Sequence, residues 1–111
     1  MKITRFQDAK AYDAPKHHGM VARRLQGLDV SSVENFSVGF STFQPGGGAE
    51  RSSSPTEKVY VVVEGKIQVT NSEGAFILNR YDSCHIGPGE ERTIVNTTDG
   101  EAKMLVISPN G

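Results

Sequence analysis

Short runs of β-branched and aromatic residues, each cut off by a turn signal, constrain this chain more than any other feature. Val59–Val63, Lys66–Thr70, Ala75–Leu78, Cys84–Ile86, Thr93–Asn96 and Lys103–Ile107 are such runs. Glu64-Gly65, Asn71–Gly74, Gly87-Pro88-Gly89 and Thr97–Gly100 separate them. Turn signals at intervals of about ten residues mark an antiparallel all-β architecture. Phe36–Phe43 alternates bulky and small side chains with period two, as a half-buried strand does. Met20–Leu25 reads as another strand, stopped near Gly27, and Pro45-Gly46-Gly47-Gly48 reads as a hard break whose glycines let the backbone turn and approach the barrel rim closely. No stretch carries the periodicity of an amphipathic helix. The expected fold is a small antiparallel β-barrel or jelly roll, because closure removes sheet edges and leaves an interior that can hold one ligand.

The chain has 111 residues, enough for one domain with a hydrophobic core of its own. Residues 36–109 are expected to form the barrel, with residues 1–35 adding an arm and edge strands to the same domain. Twelve basic and 13 acidic residues give a net charge of −1, so no basic excess points to nucleic acid or to an anionic membrane. A single cysteine, Cys84, excludes an internal disulfide and makes a reducing compartment the default. Neither an N-terminal apolar segment nor a membrane-length apolar run is present, so a cytoplasmic location is expected.

The segment Pro45–Gly65 and the segment Tyr81–Asn96 share a register with a known pair of motifs. The first motif reads Pro-Gly, then His-x-His-x-x-x-Glu-x-x-x-x-x-x-Gly; here Pro45-Gly46 opens it and Gly65 closes it. The second reads Gly-Asp, then Pro-x-Gly-x-x-His-x-x-x-Asn; here Tyr81-Asp82, Gly87-Pro88-Gly89 and Asn96 occupy its frame, with Tyr81 in the Gly place and Gly87 in the Pro place. On these residues the chain resembles the cupin superfamily, of the conserved-barrel (cupin 2) type, over roughly Phe36 to Pro109. The resemblance implies a barrel, a homodimer, and four metal-ligand positions. Those four positions hold Ser52, Ser54, Lys58 and Arg92.

Serine hydroxyls are poor metal ligands, and charged lysine and arginine cannot ligate at all. No metal and no other cofactor is therefore expected at the usual place. Strand alternation puts Lys58, Tyr60 and Val62 on one face, which lines the barrel in the cupin frame. Arg92 is expected to reach the same region. Buried cations need neutralising. The partner could be Glu50, Glu57, Glu90 or Glu91, or a ligand carboxylate or phosphate; alternatively both side chains point out of the barrel mouth.

Two function classes follow. In the first, the barrel binds a small anionic molecule of the carboxylate or sugar-phosphate type, with Lys58 and Arg92 as anchors and Ser52, Ser54 and Tyr60 as polar lining. In the second, the protein is a cofactor-independent isomerase, lyase or cyclase. Lys58, with a pKa lowered by burial and by Arg92, or His85 then moves a proton or forms an imine, with Tyr60 as acid partner. Either Cys84 or His85 faces the interior. His17 and His18 are adjacent, so they face opposite ways on a strand and read as surface or loop residues. A relocated metal site from His17 or His18, His85 and Glu90 is a third reading, which requires three separate segments to converge.

Overall fold

The computed structural model describes residues 1–110. Its strands are β1 (Ala11–Tyr12), β2 (His17–Gln26), β3 (Phe36–Ser52), β4 (Lys58–Glu64), β5 (Ile67–Asn71), β6 (Gly74–Leu78), β7 (Ser83–Ile86), β8 (Arg92–Val95) and β9 (Ala102–Pro109). A single 3-10 turn at Phe6–Asp8 is the one helical element among the described residues. No helix among them is long and apolar enough to cross a membrane. All strand pairs are antiparallel, in the order β6-β5-β8-β3-β9-β4-β7, with β2 also on β3 and β1 on β2. The result is the all-β, nearly closed small barrel that the strand pattern implies.

The glycine run does not end a strand. β3 continues through Pro45-Gly46-Gly47-Gly48 for 17 residues. Its first half pairs with β9 along Phe36–Phe43, and its second half pairs with β8 along Gly48–Ser52. The run is the corner at which β3 changes partner, and it works because no side chain is in the way. A Cβ on Gly48 would overlap the Ile94 carbonyl oxygen of β8. Asn96 pins the same corner from inside. It is fully buried, its Nδ2 donates to the carbonyls of Phe43 (3.1 Å) and Gly100 (2.8 Å), and its Oδ1 accepts from the Thr98 backbone and hydroxyl. The main chains of Asn96 and β3 close the corner, Gly46 N to Asn96 O at 2.8 Å and Asn96 N to Gly47 O at 2.9 Å.

The core is the inner face of the barrel: Phe43, Ala49, Tyr60, Val62, Ile67, Val69, Ile86, Ile94, Ala102 and Met104. Each large apolar side chain buried this completely contributes about 1.5–3 kcal/mol. The three phenylalanines of β3 have separate fates. Phe43 is in the core, Phe40 stacks edge-on against Phe6 of the N-terminal arm (centroids 4.9 Å apart), and Phe36 is exposed.

Candidate functional site

Period-two alternation on β4 sends Lys58, Tyr60 and Val62 inward, and the burial pattern agrees: Val62 and Tyr60 are buried and Lys58, nearer the strand end, is half-buried. Arg92 opens β8 directly opposite Ser52 of β3. Lys58, Tyr60 and Arg92 border a cavity of about 300 Å³ inside the barrel, which is also lined by Tyr12 and Asp13 from the N-terminal segment, His17, Met20 and Arg24 from β2, Phe43 from β3 and Met104 from β9. That volume is at the lower end for a small-molecule site.

Arg92 is only 8 % exposed, yet its hydrogen bonds all go to neutral groups. Nε donates to the Tyr60 hydroxyl at 2.9 Å, and Nη1 donates to Ser52 Oγ at 2.6 Å and, at 3.4 Å, to the Glu50 carbonyl. Among the described residues, neither Arg92 nor Lys58 forms an ion pair. The four candidate glutamates are taken up by other groups or by solvent, Glu90 included although it lines a niche beside Arg92. Glu57 pairs with His85 (2.8 Å), Glu91 pairs with Arg51, Glu90 is held by the Gly87 amide (2.9 Å) and Asn71 Nδ2 (3.0 Å), and the Glu50 side chain lies in solvent. Hydrogen bonding to Gly87, and then to Asn71, holds the Glu90 carboxyl below its usual range.

The cation pair perturbs its surroundings. Burial, and secondarily Arg92, pushes the Lys58 pKa down. Burial pushes the Tyr60 hydroxyl up, against the opposing pull of Arg92, so Tyr60 is a neutral phenol at physiological pH. Tyr60 accepts from Arg92, and no hydrogen bond among the described residues uses its own proton.

The remaining sequence-predicted residues divide. Ser52 touches Arg92 and Ser54 bonds to Thr56 (Oγ to Oγ1, 3.2 Å), and neither serine borders the 300 Å³ cavity. Both serines line an adjoining niche of about 30 Å³ that shares Lys58, Tyr60 and Arg92 with it. On β7, Cys84 is the residue that faces inward, because it pairs with Tyr60 across the ladder; His85 pairs with Val59 and points out, 59 % exposed against Glu57. His85 is thereby removed from the cavity.

His17 is the residue that sequence reasoning missed. It sits in register with buried Ala49 and enters the cavity, while His18 is exposed. Its Nδ1 is 2.8 Å from the Pro15 carbonyl. A carbonyl can only accept, so the ring proton is on Nδ1. Burial lowers the His17 pKa, and although the Pro15 carbonyl opposes this, Arg92, Lys58 and His18 add to the lowering. The alternation of Met20, Ala22 and Arg24 extended backward would have put His18 inside. A bulge at Gly19 reverses the parity.

The arrangement does not fit a metal at the family's usual position, where two hydroxyls, an ammonium and a guanidinium stand. Nor do the relocated candidates converge. His17 is inside, His85 outside and Glu90 tied to the loop before β8, and no three His, Cys, Asp or Glu side chains among the described residues group to hold an ion.

Residues 39–108 match the family model of the cupin domain. The chain belongs to the cupin family. This cupin is 43 % identical over 106 residues, 96 % of its length and 91 % of the relative's, to the beta-D-galactosidase Rv1717 of Mycobacterium tuberculosis (strain ATCC 25618 / H37Rv). Among solved structures it superposes on the polyketide cyclase RemF from Streptomyces resistomycificus with a TM-score of 0.88 at 19 % identity, covering 100 % of this chain and 80 % of that one. A sugar phosphate isomerase of the cupin superfamily from Silicibacter pomeroyi superposes with a TM-score of 0.74 at 22 % identity, covering 84 % and 60 %. At such identities the two structures speak for the cupin fold alone.

Proposed function

We propose that this cupin binds a small organic anion in its barrel, of the carboxylate or sugar-phosphate type, with Arg92 and Lys58 as charge anchors and Tyr60 and Ser52 as polar lining. One observation carries the reading: Arg92 is buried and hydrogen-bonded to neutral groups alone, with no ion pair among the described residues. Leaving a buried charge uncompensated costs several kcal/mol, and a bound carboxylate or phosphate removes that cost through charge-assisted, fork-shaped hydrogen bonds. Tyr60 is a ready donor, since its own proton is free. Ser54 has a lesser part, at the niche. The relative's name narrows the ligand towards carbohydrate derivatives, so sugar acids and sugar phosphates head the panel. The test is calorimetric titration and thermal shift with galactonate, glucuronate and galactose 6-phosphate. Binding that disappears in Arg92→Met supports the reading, and no stabilisation by any anion at millimolar concentration refutes it.

A second reading is an enzyme acting on a carbohydrate, favoured by the 43 % identity to a protein named for beta-D-galactosidase activity. Glycoside hydrolysis ordinarily uses a pair of carboxyl groups about 5–9.5 Å apart. The cavity is bordered by one carboxylate, Asp13, beside His17, Lys58 and Tyr60. Hydrolysis here would therefore draw its proton transfers from those groups. An isomerase, lyase or cyclase reaction through Lys58 is the variant that needs no carboxylate pair. Release of nitrophenol from a β-D-galactoside, lost in both Lys58→Met and Asp13→Asn, supports hydrolysis. Borohydride trapping of a carbonyl compound on Lys58 supports the imine variant. The homodimer belongs to the same proposal, supported by exposed Val21 and Phe36 on the outside of β2 and β3; sedimentation at the monomer mass excludes it.

A further inference from the structure

Three cations, Arg24, Lys58 and Arg92, border the cavity against one carboxylate, Asp13. Lys58 and Arg92 accept nothing, and Tyr60 already accepts from Arg92 while its own proton is free. A ligand made only of anionic oxygens would satisfy them. A ligand that also carries hydroxyl groups brings protons that need acceptors; the cations supply none, and the side chains that can accept are Asp13, the hydroxyls of Ser37, Ser41, Thr56 and Ser108, and His17.

His17 is one such acceptor. Its ring is held by the Nδ1–H bond to the Pro15 carbonyl at 2.8 Å, so the nitrogen left over is Nε2. The ring enters the cavity beside Lys58 and Arg92 through the register of His17 with Ala49. A further positive charge there is opposed by burial and, secondarily, by Arg92 and Lys58, which favours the neutral ring with Nε2 unprotonated. A second-strand bulge at Gly19, not a loop, sets the ring's direction, so it is built into the sheet.

We propose that His17 is a hydroxyl acceptor beside the anion anchors, making the bound molecule a hydroxylated carboxylate or phosphate rather than a plain acid: Arg92 and Lys58 hold the anionic head and Nε2 accepts from a hydroxyl on the same molecule. This rests on the anion-site reading of Arg92 and Lys58. It adds the discrimination that those two residues cannot provide, because a site with an unsatisfied acceptor rejects an analogue lacking the hydroxyl.

The experiment is calorimetric titration of wild-type protein, His17→Leu and His17→Gln with galactonate, which has a hydroxyl on every carbon beyond the carboxylate, and with hexanoate, which has none. Galactonate affinity is expected to fall about tenfold or more in His17→Leu, as loss of one such hydrogen bond dictates, and to recover in His17→Gln, whose amide oxygen also accepts. Hexanoate affinity is expected to stay the same in all three proteins. If galactonate binds equally well to His17→Leu, or if hexanoate weakens in parallel, the acceptor role falls and the anion site stands. If neither anion binds the wild type, the anion-site reading falls and the acceptor role with it. Nitrogen-15 NMR of the imidazole gives an independent check that needs no ligand: an unprotonated Nε2 at neutral pH is expected, and a protonated one overturns the proposal.

Discussion

Arg92 Nε donates to the Tyr60 hydroxyl at 2.9 Å across the inside of the barrel, and Arg92 forms no ion pair with a carboxylate among the described residues. Replacing Arg92 with Met keeps the volume and removes the charge. The ligand-free variant is expected to be at least as stable as the wild type, because buried charges replaced by apolar groups of similar size are often neutral or stabilising. The wild type should gain about 2.7 kcal/mol at an anion concentration one hundred times Kd, and the variant should lose most of that gain. Scanning calorimetry with and without galactonate measures both. An Arg92→Met protein that unfolds outright, or that is stabilised by the anion as much as the wild type, contradicts this account of the site.

His17 makes stability depend on pH. Its folded pKa lies below the ordinary 6.5, chiefly through burial; Pro15 pulls the other way, and Arg92 from β8, Lys58 from β4 and His18 from its own strand lower it further. Asp13 is the one carboxylate among the residues that border the cavity, and Arg24 is a further cation there. Between the folded value and 6.5 the unfolded chain binds a proton that the folded chain refuses, so stability rises with pH in that window and is lost as pH falls through it. Urea midpoints measured at about pH 5 and about pH 7.5 should differ more in the wild type than in His17→Gln. Equal differences in the two proteins would place the acid sensitivity elsewhere.

Tyr81 occupies the Gly position of the second cupin motif and takes the conformation that Gly would, with φ at +73°. Its amide still donates to the Val62 carbonyl at 2.6 Å, so the turn is retained at a conformational cost. The side chain is largely exposed and meets the Arg80 guanidinium at 4.6 Å. Tyr81→Gly is expected to stabilise the protein by about 1 kcal/mol, the left-handed penalty outweighing a surface cation–π contact and the added chain entropy of glycine. A denaturant melt reads this directly, and a destabilised variant would show that the ring contributes more than its exposure implies.

Gly19 and Gly47 lie back to back where β2 bulges against the corner of β3. A Cβ on Gly47 would overlap the Gly19 carbonyl, and one on Gly19 would lie 2.9 Å from Gly47 Cα. Gly47→Ala is therefore expected to cost about 3 kcal/mol and to weaken ligand binding, since the bulge that turns His17 inward must shift. A thermal melt together with galactonate titration checks both effects. Unchanged stability would mean that the two strands separate freely.

His85 supplies the control. Its pairing with Glu57 is exposed on both sides, so His85→Ala should change stability by less than about 1 kcal/mol and leave ligand binding or any activity untouched. Loss of activity in this variant alone would restore His85 to the proton-transfer role that its orientation argues against.

Much of the barrel could be read from local chemistry. Period two on β4 identifies Lys58, Tyr60 and Val62 as one face, the turn residues at Tyr81-Asp82 and Gly87-Pro88-Gly89 punctuate the strands, and Asn96 falls at the motif position where a buried amide closes the corner. These follow from the chain alone because side-chain alternation and turn geometry depend on neighbours a few residues away. The glycine run misled for the same reason: locally it looks like a break, and only the approach of β8 shows it to be a bend within one long strand.

Whatever depends on distant partners was decided by the folded barrel. That Cys84 rather than His85 turns inward follows from the register of β7 on β4, with Tyr60 opposite Cys84. That His17 rather than His18 enters the cavity follows from one bulge, set by two glycines 28 positions apart. That Arg92 is left without a carboxylate follows from where Glu50, Glu57, Glu90 and Glu91 point, each drawn by other partners or by water. A one-residue shift in pairing reverses every side chain along a strand, so sequence alone specifies which residues a face may hold, and tertiary packing specifies which face becomes the inside.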